Sequence, residues 1–559
     1  MAAIPAIQCA IQLVGPDKLI LNRRKEVHKV GPYQILARVE AVGLCFSDLK
    51  LLKQFDQHAR KSEIISGVDT TILHEIPSYC PGNAPTVPGH ETVCTIVAVG
   101  QKVRLHQVGQ RVLVQTDYRW LKTAASNAAF GYNFEGALQQ YVLMDERVIV
   151  EPESGESLLL PADPRLSASA IALVEPWACV ECSYVTRERQ AVLAGGRLLV
   201  VAERGREVAS LADCFKSGRP GTVTAICTEK VQRDTIQKIV PAAAVCEFNQ
   251  LAPDAVFDDI IYFGSQKETI ELLNDKLAAS GIINIVLGGR NIGKPVSVGI
   301  GRVHYGNTRW IGTLGNHAAE SYLGIPEIGE IRDNDKVVVI GAAGPMGQMH
   351  VIRLVCEGKK NVSVTGTDFD DARLASLDKK ARPLAEANDV ELRLVNPQKT
   401  PAQGKYSYCA IMAPVGALVA QAVRDSVPGM LINIFAGIPA QVKQELDLDT
   451  YIANRCFMLG TSGSRLSDMK RVLEKVTSGR LNTDISVDAV SGMAGATEGL
   501  AAVENRTLAG KIIVYPALID MPLVTLSKMA MYHPEVAAKL NHGIWTKQAE
   551  QELLKHTQK

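Results

Sequence analysis

Lys336-Val-Val-Val-Ile340 runs directly into Gly341-Ala-Ala-Gly344-Pro-Met-Gly347, and a helical pattern follows over Gly347–Glu357. This junction decides the reading of the fold. A short run of β-branched residues predicts a strand buried on both faces. A glycine-rich turn between strand and helix lets backbone N–H groups approach a pyrophosphate at the helix N-terminus. The expected cofactor-binding residues are Gly341, Ala342, Gly344, Pro345, Met346 and Gly347, joined by Asp368. Asp368 stands 21 residues beyond Gly347, at the end of a strand predicted over Val362–Thr367. An acid there accepts hydrogen bonds from an adenosine ribose and repels a 2′-phosphate, which favours NAD(H) over NADP(H). Ala342 occupies the first glycine position of the usual G-x-G-x-x-G pattern, or the loop is one residue longer.

Outward from this loop, an α/β block is predicted over 331–465. It has strands at Tyr408–Met412 and Leu431–Phe435 and a helix at Ala417–Val427. A similar block precedes it, over 191–330, with strands at Arg197–Val201, Thr222–Cys227 and Asp259–Phe263 and a helix at Glu268–Ala279. The two resemble each other. Ile282-Ile-Asn-Ile285 matches Leu431-Ile-Asn-Ile434, and Ile311-Gly-Thr-Leu-Gly315 matches Leu459-Gly-Thr-Ser-Gly463. The matched segments are 29 residues apart in the first copy and 28 in the second. This predicts a tandem duplication of one doubly wound domain. The first copy has Val201-Ala-Glu-Arg-Gly-Arg-Glu207 in place of the glycine loop, so it is expected to be degenerate and to bind no dinucleotide. Exposed sheet edges are usually covered or paired. The matching terminal segments, Arg309–Thr313 and Cys456–Thr461, are therefore expected to pair edge to edge within one chain and continue one sheet across both blocks. Gly288-Gly-Arg-Asn-Ile-Gly293-Lys294-Pro295 resembles a phosphate loop only superficially: it lacks the Ser/Thr for Mg²⁺, and Pro295 breaks the helix that should follow.

Residues 30–150 are β-rich, with alternating segments at Gln34–Val42, Glu91–Val99, Arg111–Gln115 and Gln139–Met144 between Gly and Pro turns. The stretch from about 516 is expected to be largely helical and polar at its end. Three segments bring in chemistry: Gly43-Leu-Cys45-Phe-Ser47-Asp48-Leu-Lys50, Pro88-Gly89-His90-Glu91 and Val174-Glu175-Pro176. Cys, His and Glu all bind zinc, and a catalytic site keeps three protein ligands and one open position. A zinc ion there polarises an alcohol or carbonyl oxygen.

Composition excludes several other classes. The 559 residues suggest three or four domains at roughly 150 residues each. With 47% hydrophobic and 21% charged residues, the chain can bury several cores. Sixty Lys+Arg against 59 Asp+Glu leave no basic excess for nucleic acid. No apolar run approaches the ~20 residues of a membrane span, and the start lacks the basic residues of a secretory signal, so a cytoplasmic location is expected. Twelve cysteines are too few for a disulfide scaffold; Cys179 and Cys182 are expected to be two core thiols on one helix.

The motifs G-x-C-x-S-D at Gly43–Asp48, G-H-E at Gly89–Glu91 and a late dinucleotide loop, in this order, resemble the zinc-dependent medium-chain dehydrogenase/reductase superfamily. An E-P segment at Glu175-Pro176 resembles its sorbitol dehydrogenase side. Ala343–Gly347, Phe257–Ile260, His304-Tyr305, Gly460–Gly463, Met521–Thr525 and His542–Trp545 are similar to L-sorbose-1-phosphate reductases. The resemblance implies an α/β fold: a GroES-like β-rich catalytic domain over 1–190, completed by about 466–559, and two tandem Rossmann-type doubly wound domains, the first degenerate. It implies Cys45, His90 and Glu175 as ligands of one catalytic zinc. Glu91 could ligate in place of Glu175 or through water, and Ser47 would relay the substrate hydroxyl proton. The four-cysteine lobe of a structural zinc is missing, since Cys94 is the only cysteine between His90 and Tyr141, and no structural zinc is expected. His90 stands 45 residues beyond Cys45, more than the family's usual spacing, which implies an added loop around His58–Pro85 that reshapes the substrate pocket. The implied activity is hydride transfer between NAD(H) and a polyol, ketose or sugar phosphate. The alternatives are a zinc dehydrogenase of an amino acid or simple alcohol, and a non-catalytic NAD-binding scaffold. The implied partner is a small-molecule substrate, with neither nucleic acid nor membrane, and the chain acts alone or within a homo-oligomer.

Overall fold

The computed structural model describes residues 4–402 and 404–555; the extreme start and the polar end discussed above lie partly outside the described residues. The chain divides into two compact units, 1–178 with 464–559, and 179–463. Among the described residues no helix is long and apolar enough to cross a membrane.

The first unit is built on an eight-stranded sheet whose long central strand is Gln34–Gly43. It is buried on both faces except at Arg38 and Glu40, as a central strand covered on both sides is. Glu91–Val99 pairs antiparallel with it, and the register sets Gly43 opposite Glu91. Cys45 and His90 therefore leave the same end of two adjacent strands. A side chain at Gly43 would collide with the Glu91 carboxylate, its Cβ falling 2.1 Å from Oε2. The strand Lys511–Val514 pairs with Gln34–Gly43 through Val42 and Gly43, so the C-terminal segment brings Lys511 to the same end.

The segment expected to be a loop around His58–Pro85 is ordered by pairing. Ile64–Ser66 joins Asp117–Thr123 in a three-stranded sheet, and Thr70–His74 is a short helix capped by Asp69. Its centre is Lys61, which has no exposed surface. The Lys61 ammonium donates to the carbonyls of Cys80, Gly82 (3.0 Å) and Ala84 (2.8 Å), so all three of its protons are used.

A second anchor holds the segment before Glu175. Glu550 accepts the N–H groups of Ala168 (2.6 Å) and Ser169 (2.9 Å) at the start of the helix Ala168–Ala172. Asp484 accepts the hydroxyls of Ser167 and Ser169, both at 2.5 Å. Cys179 and Cys182 share the next helix, Val174–Val185; Cys182 is buried, whereas Cys179 is half-buried and not a core thiol.

The second unit contains two separate six-stranded parallel sheets. In the first, the order across the sheet is Ala244–Val245, Thr222–Cys227, Arg197–Ala202, Phe257–Phe263, Leu277–Val286 and Arg309–Thr313. In the second it is Glu391–Val395, Ser363–Thr367, Lys336–Ile340, Tyr408–Ile411, Leu431–Ile434 and Phe457–Leu459. Both follow the 3-2-1-4-5-6 order of a doubly wound dinucleotide fold. Asn284 and Asn433 hold equivalent places in the fifth strands. The helix expected over Glu268–Ala279 stops at Asp275, because Leu277 already pairs with Phe257 in the sheet.

The expected continuous sheet does not form: among the described residues Arg309–Thr313 has no ladder with Phe457–Leu459. Tyr451 stands between the edges instead. Its hydroxyl donates to the carbonyl of Trp310 (2.9 Å) and accepts from the N–H of Met458 (3.0 Å). A separate two-stranded ribbon joins the blocks, Val296–Val298 antiparallel to Gln444–Leu446, and one apolar core runs through both. In the loop Gly288–Pro295, the N–H groups of Ile292 and Gly293 are taken by the carboxylate of Asp449, at 2.9 and 2.7 Å.

Burial, with Glu550 close by, pushes the Asp484 carboxyl up to about 7 against the two serine hydroxyls that lower it. A carboxyl raised on folding contributes stability that is full below its unfolded pKa and lost as pH rises through the folded one. Thermal melts should therefore show Asp484→Asn stabilised relative to the parent at pH 8, with the advantage shrinking towards pH 4. A variant equally destabilised at both pH values would contradict this.

Candidate active site

Cys45 is the N-cap of the helix Phe46–Gln54, and Asp48 is its third residue. Asp48 turns back to accept the Cys45 N–H at 3.0 Å, so a local helix start fixes the thiol. The same carboxylate accepts the Gly89 N–H (3.3 Å) and lies 3.1 Å from His90 Nδ1. With Nδ1–H given to Asp48, the ring directs Nε2 to the opposite side, an orientation a carboxylate commonly imposes on a metal-binding histidine. There the Ser47 hydroxyl lies 3.0 Å from both Nε2 and Cys45 Sγ.

Ligand atoms of Cys45, His90 and Glu91 all lie within 4.8 Å of one another. Glu91 is fully buried; Oε1 meets the Lys511 ammonium at 2.5 Å, while Oε2 has no hydrogen-bond partner. Glu175, in the first turn of Val174–Val185, is buried but lies outside that tight group. It remains close enough to feel it. Burial first, then the Glu91 and Asp117 carboxylates, push its pKa up to about 7 against His90 and Lys511. Burial alone would hold His90 neutral; Asp48, with Tyr132 and hydrogen bonds to Asp48 and Cys45, lifts its pKa well above the usual value.

The donor set suits zinc: one thiol, one imidazole and a carboxylate oxygen, with a fourth donor near. The electrostatics suit it too, because several carboxylates share a dry site with one ammonium. The added segment supplies a wall. His58 packs on Tyr132 at 5.0 Å between ring centroids, and Tyr132 faces His90 at 5.8 Å. Burial, then Arg60 and Lys50, lower the His58 pKa to about 4, so this wall is a neutral imidazole.

The cofactor loop lies in the second unit. Gly341 adopts φ +81°, and a Cβ on Gly347 would fall 2.2 Å from the Gly341 carbonyl oxygen. Space over Gly344 is open. Gly344 caps the helix Pro345–Cys356, with Pro345 in its first turn and the N–H groups of Met346 and Gly347 lacking intrahelical acceptors. Ala342 is buried beneath the loop. Asp368 follows the strand Ser363–Thr367 and accepts the Ala343 N–H at 3.1 Å. These features fit a pyrophosphate over Gly344 and a ribose near Asp368.

Sequence reasoning gave no role to Asp48, Lys511 or Tyr132. Asp48 had a signal, being an acid three residues after a helix N-cap. Lys511 had a weaker one, a lone cation opening the apolar run Lys511–Val514. Tyr132 had none, since its place follows from tertiary packing.

Lys511→Met would leave Glu91 buried and uncompensated, at a cost of about 3–5 kcal/mol. Urea denaturation followed by circular dichroism measures it, and Glu91→Gln combined with Lys511→Met should recover most of the loss. Additive single-variant costs would contradict the coupling.

Residues 31–154 match the alcohol dehydrogenase GroES-like domain. The chain is 22% identical over 349 residues to the uncharacterized protein YggP of Escherichia coli K12, covering 56% of this chain and 76% of that protein. It is 27% identical over 402 residues to L-sorbose 1-phosphate reductase of Klebsiella pneumoniae, covering 65% of this chain and 87% of the reductase. A short chain alcohol dehydrogenase of Escherichia coli CFT073, solved with NADH, aligns over 91% of this chain and 100% of its own at 14% identity and a TM-score of 0.49. With a GroES-like domain of the alcohol dehydrogenase kind over residues 31–154 and relatives that align over more than half of its length, the chain is similar to alcohol-dehydrogenase-type oxidoreductases of the medium-chain superfamily, on their sorbitol-dehydrogenase-like side.

Proposed function

We propose that the protein is a zinc-dependent oxidoreductase that transfers a hydride between NAD(H) and a polyol, ketose or sugar-phosphate alcohol or carbonyl. The observation that carries this is the meeting of Cys45, His90 and Glu91 donor atoms within 4.8 Å in a site crowded with carboxylates. The similarity to L-sorbose 1-phosphate reductase supports the sugar-phosphate class. Residues 1–190 with 466–559 form the catalytic domain in this reading, 331–465 the NAD-binding domain, and 191–330 a degenerate copy that binds no dinucleotide.

Cys45 and His90 would hold the metal, with Glu91 or Glu175 as third ligand. Bound in these sites, zinc would polarise the substrate oxygen and the nicotinamide would take or give the hydride. Asp48 orients His90 and so fixes which nitrogen faces the site. Lys511 donates to Glu91 Oε1 and fixes where that carboxylate sits. Ser47, next to both Cys45 and His90, is the hydroxyl that would receive the substrate proton and pass it on. Asp368 would receive the adenosine ribose and exclude a 2′-phosphate, so NAD(H) is preferred over NADP(H).

Purified protein should contain about one zinc ion per chain, the number expected for a single three-ligand site. Cys45→Ala or His90→Ala should lose the metal and abolish turnover, while NADH fluorescence binding stays nearly intact. Asp48→Ala should weaken zinc binding by about 10–100-fold. Near-normal turnover in either ligand variant without metal would overturn the zinc reading. The substrate class is tested by following NADH formation or consumption with polyols, ketose phosphates, amino alcohols and simple alcohols. Activity confined to the last two would overturn the sugar class.

Asp368→Ser should weaken NADH binding and narrow the preference over NADPH. A parent enzyme that binds NADPH more tightly would contradict the assignment of Asp368.

A further inference from the structure

The first doubly wound block has a cavity of about 600 Å³ in the crevice where this fold takes ligands. It opens at the carboxyl ends of the strands Arg197–Ala202, Thr222–Cys227 and Phe257–Phe263. Its volume lies within the range of small-molecule sites. Nothing in the dehydrogenase reading uses it.

The ribose end of a dinucleotide crevice survives here. In the second block, Asp368 follows the second strand and accepts the Ala343 N–H at 3.1 Å, tying down the loop after the first strand. In the first block, Glu229 follows its second strand and accepts the Gly205 N–H at 2.9 Å, from the loop after its first strand. The same kind of group thus holds the same loop in both. Glu229 is only partly buried and lines the cavity. Ile226 and Phe248 add an apolar wall beside it, suited to the face of a base.

The phosphate end does not survive. Glu203 stands directly after the first strand, where the second block has Gly341. Its Oε1 accepts the N–H groups of Ser265 and Gln266, both at 2.9 Å, and the Tyr262 hydroxyl. A carboxylate of the chain therefore already occupies the donors an anion would seek. Among the described residues, the connection from the first strand to the second contains no α-helix, only the short 3-10 turn Ala212–Phe215. Neither helix dipole nor unsatisfied helix N–H groups remain to attract a phosphate.

We infer that the cavity of the first block binds a nucleoside bearing no 5′-phosphate, with its ribose hydroxyls on Glu229 and its base against Ile226 and Phe248. This site rests on the proposed function only in assigning NAD(H) to the other block.

The test is calorimetric titration of adenosine and of AMP into the full chain saturated with NADH, which fills the second block. Adenosine should bind once per chain. Glu229→Gln should weaken it at least about tenfold, the loss expected for hydrogen bonds to a charged acceptor, with NADH binding unchanged. AMP should bind at least about tenfold more weakly than adenosine, because its phosphate meets Glu203, and Glu203→Gln should narrow that gap. No binding at millimolar adenosine, equal affinity for AMP and adenosine, or an affinity indifferent to Glu229→Gln each overturns the inference. If NADH itself does not bind, the cofactor assignment fails separately. Adenosine binding that is weakened by Glu229→Gln but not by Asp368→Ala then still locates the site in the first block.

Discussion

The buried contact between Glu91 and Lys511 is the interaction on which the rest of the candidate site depends. Glu91 has no exposed surface, and among the described residues its ion pair is with Lys511, at 2.5 Å. Around this pair lie Asp48, Glu175 and Asp117, all buried. Moving this many carboxylates out of water is unfavourable unless cations meet them. Lys511 meets one, the Arg60 guanidinium meets Asp117 at 2.6 Å, and His90 meets Asp48. Burial first, and then the charge imbalance added by Glu91 and Asp117, push the Glu175 carboxyl up to about 7. A divalent cation would relieve that imbalance, so the donor atoms and the charge of the pocket point to the same chemistry.

The pair also links distant parts of the sequence. Glu91 begins a strand near the N-terminus and Lys511 begins one near the C-terminus, 420 residues apart, and both flank Gln34–Gly43. The sheet register sets the site geometry: a slip of one residue in either ladder would send Glu91 or Lys511 to the other face. Gly43 makes the approach possible by leaving room for the carboxylate.

Much of this was legible in the sequence where the signal is local. Lys336–Ile340 and its glycine turn were readable because a buried strand, a tight turn and a helix start each restrict residue type within a few positions. The repeat of Ile-Asn-Ile was readable because both copies fill equivalent fifth strands. The motifs pointed to Cys45, His90 and Glu175, with Glu91 as the alternative; that Glu91 and not Glu175 falls in the tight group depends on ladder register and helix placement. What was not legible was tertiary. The edges Arg309–Thr313 and Phe457–Leu459 look alike, yet Tyr451 inserts its hydroxyl between them, and no pattern in either edge announces that. The helix after Glu268 ended early because the strand Leu277–Val286 competes for the same residues, and pairing with Phe257 wins over helical propensity.

Lys61 carries a different implication. Its ammonium gathers the carbonyls of Cys80, Gly82 and Ala84 around a positive centre, much as a bound ion would, but this centre is covalently part of the chain. Such a cation cannot be chelated, exchanged for another metal or lost on dilution. The segment that carries His58 to its packing on Tyr132, beside the candidate site, is thus gathered by a charge of the chain itself. If the proposed metal binds there, the segment that lines its site is already tied down by the chain's own cation.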